Sequence, residues 1–91
     1  MNVTLKFTAD SWVEVYDANG QRLFYDIGAA NSSHALSGTP PLRVVLGNAP
    51  SVSLNINGKA AKVPASVMQD SGAQFTINRS GRIVRTRPDG G

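Results

Sequence analysis

Apolar and polar residues alternate with a period of two along most of this chain, and turn-forming residues interrupt the alternation at short intervals. The stretch from Val3 to Phe7 (VTLKF) alternates cleanly. Ser11 to Tyr16 (SWVEVY) follows, then Asp17-Ala18-Asn19-Gly20, then Gln21 to Ile27 (QRLFYDI). Asp at the first turn position and Gly at the fourth suit a type I turn closed by a left-handed glycine, a frequent hairpin connection. The register this predicts sets Val15 against Leu23 and Val13 against Tyr25, with Ile27 extending the row. One face of the hairpin is then apolar and looks at the core. The other pairs Tyr16 with Arg22, Glu14 with Phe24 and Trp12 with Asp26.

Downstream, Gly28 to Ser33 has loop composition, Ala35-Leu36 is a short strand, and Ser37-Gly38 ends it. Thr39-Pro40-Pro41 excludes helix locally and leads an extended chain into Leu42 to Leu46. Val52 to Ile56 alternates strictly, and the following Asn57-Gly58 is a strong type I′ hairpin signal. That turn sets Ile56 against Lys59, Leu54 against Ala61 and Val52 against Val63, with the Lys59 stem lying along the apolar face. Pro64 to Gly72 reads as loop with one short helical turn at Ala65–Met68. Gln74 to Ile77 is a further strand, and Asn78 to Gly81 can turn the chain back into Arg82 to Thr86, placing Ile83 beside Ile77. About seven to nine short strands with regular turns predict an all-β fold, a small antiparallel β-sandwich.

Size and charge refine this picture. At 91 residues the chain is one small domain with a modest core. No apolar run is long enough for a membrane span, and no charged-then-apolar leader suggests a signal peptide. The formal charge of +3 comes from Arg79, Arg82, Arg85 and Arg87, because residues 1–78 carry five basic and five acidic side chains. The expected organisation is therefore a β-sandwich over residues 1–78 and a basic C-terminal extension over 79–91. That extension adds a strand up to residue 86 and is loose over Pro88 to Gly91.

Candidate chemistry is sparse. The chain has no cysteine and one histidine, which excludes disulfides, thiolate catalysis and Cys-ligated zinc and leaves no His pair for a metal. Ser33-His34 places a hydroxyl beside the imidazole, with Asp26 and Asp10 as third members, but nothing resembles a nucleophile elbow and an exposed loop histidine is the plainer reading. Glu14 and Asp26 would lie together on the outer hairpin face as a carboxylate pair without a cleft around them. No phosphate loop and no complete calcium loop is present. Neither an enzyme nor a cofactor or metal site is expected. Nor is a nucleic-acid partner, because Trp12, Tyr16 and Phe24 sit among acids while the arginines sit elsewhere.

The feature left is the outer hairpin face. Trp12, Glu14, Arg22, Phe24 and Asp26 form the candidate interaction patch, with aromatics ringed by charge. Trp12 admits two readings. A large side chain covered by a second segment is the expected one, and an exposed anchor for a protein or glycan is the alternative.

The block from Thr8 to Gly20 (TADSWVEVYDANG) resembles the C-terminal periplasmic domain of the RodZ family of bacterial cell-shape proteins. The likeness continues through Gly38-Thr-Pro-Pro-Leu42, Leu46-Gly-Asn-Ala49, Asn57-Gly-Lys59 and Gln74-Phe-Thr-Ile77, and so covers residues 3–77 in order. Asn31 stands where the family pattern usually carries a glycine, and Asn tolerates left-handed backbone.

The resemblance implies a domain of a bitopic inner-membrane protein. Such proteins carry a cytoplasmic helix-turn-helix domain that engages the actin-like protein MreB, then a transmembrane helix, a linker and this periplasmic module. The chain is expected to be that module alone. MreB and the membrane are then contacted only through the missing parts. On this reading the module is a non-enzymatic contact for wall-synthesis or cell-shape proteins. A carbohydrate-binding module that meets peptidoglycan through Trp12 is the alternative, and a small basic nucleic-acid binder a weaker one.

Overall fold

The computed structural model describes residues 1–86, and the expected loose end at Pro88–Gly91 lies outside them. Ten strands follow in chain order: β1 (Asn2–Phe7), β2 (Ser11–Tyr16), β3 (Arg22–Gly28), β4 (Ser33–Ser37), β5 (Leu42–Leu46), β6 (Val52–Ile56), β7 (Lys59–Ala61), β8 (Met68–Gln69), β9 (Gly72–Ile77) and β10 (Ile83–Arg85). They build two antiparallel sheets, one in the order β4-β1-β6-β7 and one in the order β10-β9-β5-β2-β3, with β8 added to β9. The all-β sandwich expected from the alternation is the fold. The count exceeds expectation by β8, which is only two residues long and lies in the stretch read as loop.

The core fills the space between the sheets and follows the alternation directly. Val3, Leu5 and Phe7 of β1 and Val52, Leu54 and Ile56 of β6 face Val13 and Val15 of β2, Leu42, Val44 and Leu46 of β5, and Phe75 and Ile77 of β9. Each such side chain contributes about 1.5–3 kcal/mol on leaving water. Between β6 and β7, Asn57 and Gly58 both have positive φ, and Ile56 pairs with Lys59 and Leu54 with Ala61 as the Asn-Gly signal predicts. Ile83 pairs with Ile77. Asn31 adopts φ 64°, the left-handed conformation that a glycine would supply.

The first hairpin corrects the expected register. Its turn is as predicted, with Gly20 at φ 77° and its amide donating to Asp17 O at 3.0 Å. Tyr16 also pairs with Arg22. Beyond that pair Leu23 is an extra residue in β3, so Val15 pairs with Phe24, Glu14 with Tyr25, Val13 with Asp26 and Trp12 with Ile27. A one-residue bulge turns every later side chain to the other face. Its physical reason is packing: the bulge lets both Leu23 and Phe24 lean on the core, where strict alternation would allow only one. Tyr25 and Ile27, expected inside, are exposed instead.

Gly28, assigned to a loop from composition, closes β3 opposite Ser11 and lies against the Phe7 ring, which occupies the space a Cβ would need. His34 is likewise no loop residue. It lies in β4, pairs with Leu5 of β1 and packs its ring against Phe7 and Phe24, with centroids 5.9 and 4.9 Å away.

Candidate functional site

Because Ser11, Val13 and Val15 face the core, Trp12, Glu14 and Tyr16 project from the outer face of the second sheet. The pairing on either side of β2 assembles rows across this face. Ile27 stands beside Trp12. Tyr25, Glu14, Val45 and Gln74 form the next row, and Arg22, Tyr16, Arg43 and Thr76 the one after, with Val84 beyond Thr76. The four exposed large hydrophobic residues among those described are Trp12 at 36%, Tyr25 at 48%, Ile27 at 56% and Val84 at 38%. All four stand on this one face. The expectation that a second segment covers Trp12 is thereby corrected among the described residues: Trp12 is exposed on the outer side of its sheet, beside Tyr25 and Ile27.

Glu14 organises the centre. The Trp12 indole Nε1 donates to Glu14 Oε2 at 2.9 Å, and the Tyr16 hydroxyl donates to Glu14 Oε1 at 2.6 Å. The bond from Trp12, then that from Tyr16, holds the Glu14 carboxyl below its ordinary value, with Arg43 and Arg22 adding smaller favourable charge. The same bond raises the Tyr16 hydroxyl, since ionising it would cost the contact and set two anions together.

Two guanidinium groups lie on ring faces. Arg22 Cζ sits 4.5 Å from the Tyr25 centroid, and Arg43 Cζ sits 4.8 Å from the Tyr16 centroid. Trp12 meets Tyr25 edge to face, with centroids 4.9 Å apart and planes at 85°. The aromatic side chains are thus held in place by a carboxylate, two cations and each other.

Of the residues expected in the patch, Trp12, Glu14 and Arg22 come together. Phe24 and Asp26 do not, because the bulge at Leu23 moves both to the inner side of β3. Phe24 packs against the core and His34. Asp26 stays exposed at the sheet edge, where its Oδ1 accepts the Ile27 amide at 2.7 Å. Glu14 and Asp26 therefore make no carboxylate pair. Tyr25, Ile27 and Arg43 belong to the face and were not expected there. The first two are hidden by the register slip. Arg43 reaches the face only through the pairing of β2 with β5, which no local pattern encodes.

Among the described residues, no group of three or more His, Asp or Glu side chains gathers to hold a metal ion. The model of one protein family, described as RodZ C-terminal domain, matches residues 4–76. No solved structure matches the chain.

Proposed function

The chain belongs to the RodZ C-terminal domain family and is thus a domain of the cell-shape machinery, and on that premise we propose that it is a non-enzymatic interaction module on the periplasmic side of the bacterial inner membrane. In this reading its parent protein links the MreB cytoskeleton to wall synthesis through a single membrane span, and this domain supplies the outer contact. The observation that carries the proposal is the gathering of Trp12, Tyr25 and Ile27 on one sheet face, with Val84 at the far edge of the same face. Rigid aromatic and aliphatic side chains with arginines among them are the composition of protein-binding patches.

Rod shape is the readout. Tyr25→Glu with Ile27→Glu in the parent protein should round cells that lack the unaltered copy, while the purified domain keeps its melting temperature. Cells that stay rod-shaped with the charged pair would contradict the proposal.

A further inference from the structure

The chemistry of the face narrows what it can take. A bare aromatic platform offers flat ring faces for sugar stacking, but here Arg22 covers Tyr25 and Arg43 covers Tyr16. Trp12 stands edge to face with Tyr25, so the rings present no common plane. What the rings carry upward is guanidinium. Glu14, the one acidic side chain that the strands themselves carry on this face, spends both carboxylate oxygens on Trp12 and Tyr16, while Asp70, in the turn after β8, lines a recess with Val45, Gln74 and Arg85 farther across the sheet. Asp17, at the end of the hairpin beside Arg43 in a shallow recess, directs its Oδ1 to the amides of Asn19 and Gln21. The strand positions of Arg22 and Arg43 flank Tyr16 on either side, about 10 Å apart at two strand spacings.

We infer that this face docks an acidic protein segment, whose carboxylates meet Arg22 and Arg43 and whose apolar side chains settle on Trp12, Tyr25 and Ile27. The inference rests on the reading of this face as a contact surface and specifies its partner's chemistry. Arginines resting on rings are already ordered, so less side-chain freedom is lost when each forks onto a carboxylate. The surrounding apolar side chains lower the local dielectric and strengthen those bonds. Complementary charge of this kind sets specificity and association rate.

The test uses the full chain, labelled with ¹⁵N, and three probes: a synthetic peptide alternating Glu and Leu, its Gln-for-Glu counterpart, and a disaccharide-pentapeptide of the cell wall. The acidic peptide should shift the Trp12 indole and the amides of β2, β3 and β5. Its affinity should fall about tenfold with Arg22→Gln plus Arg43→Gln, and severalfold between about 0.05 and about 0.3 M salt. Arg22→Glu plus Arg43→Glu should transfer binding to a peptide alternating Lys and Leu, which separates lost charge from lost folding. Equal binding of the Gln counterpart on the same amides overturns the acidic specificity and leaves the face as a contact surface. Shifts confined to another surface, or no binding of the acidic peptide, overturn the inference, as does tighter binding of the wall fragment.

Discussion

Trp12 and Glu14, two residues apart on β2, are joined side chain to side chain by a 2.9 Å hydrogen bond from the indole Nε1 to the carboxylate. The bond lies on the open face rather than in the core, where it fixes the orientation of a large aromatic ring. Side chains at i and i+2 of a strand share a face, and the Tyr16 hydroxyl reaches the same carboxylate from the next position.

This network gives a pH dependence of definite sign. Glu14 is held below its ordinary value by Trp12 and then Tyr16. Its contribution is therefore fully present above the unfolded carboxylate pKa and is lost as pH falls through the folded one. Tyr16 behaves oppositely, because its raised value makes its contribution full below the ordinary phenolic range and lost at higher pH. Trp12 emission should show an acid transition with its midpoint below the ordinary glutamate value. Glu14→Gln should abolish that transition, and a midpoint at or above the ordinary value would contradict the network.

The bulge at Leu23 separates two aromatic residues that strict alternation would place together. Phe24→Ser should cost about 2–3 kcal/mol, since the ring packs against the core and His34. Trp12→Ser should cost at most about 1 kcal/mol, as a substitution on an open face. Thermal melts of the two single variants read the difference, with about 4–8 °C expected per kcal/mol in a domain of this size. Val15→Asp should leave no folded protein, because Val15 is buried and an unpaired charge there costs several kcal/mol.

Gly28→Ala should destabilise by about 1–3 kcal/mol, because the added methyl has no room beside the Phe7 ring. Phe7→Leu in the same chain should recover part of the loss. A melting temperature equal to that of the unaltered protein for Gly28→Ala alone would contradict the packing.

Asp26 has a separate task at the edge of the second sheet. It lies on the inner side opposite Val13, and its carboxylate covers the Ile27 amide. A charge at that place discourages another strand from adding to β3. Asp26→Val should therefore raise self-association in sedimentation velocity at unchanged secondary structure, whereas a strictly monomeric variant would show that the edge needs no such guard.

The fold was legible wherever alternation was unambiguous. Val3 to Phe7, Val52 to Ile56 and the Asn57-Gly58 turn could be read directly, because each has one apolar face and one turn chemistry. The first hairpin could not be read past its turn. Leu23, Phe24 and Tyr25 are three large apolar residues in succession, so the period of two is blurred where the bulge inserts. That local ambiguity carried Phe24 and Asp26 into the expected patch and kept Tyr25 and Ile27 out. Trp12, Glu14 and Arg22 survived because they precede the slip on β2 or stand at its origin beside Tyr16. Arg43 depends on the long-range pairing of β2 with β5 and leaves no trace in local sequence.

The central claim, that the outer face of the second sheet makes the contact, is tested most directly by crosslinking from defined positions in the parent protein in growing cells. A photoreactive residue placed at Tyr25, Ile27 or Arg43 should yield discrete protein adducts. The same residue at Thr4, Asn55 or Ala60, which belong to the first sheet, should yield none. Adducts from the first-sheet positions with none from Tyr25, Ile27 and Arg43 would contradict the account.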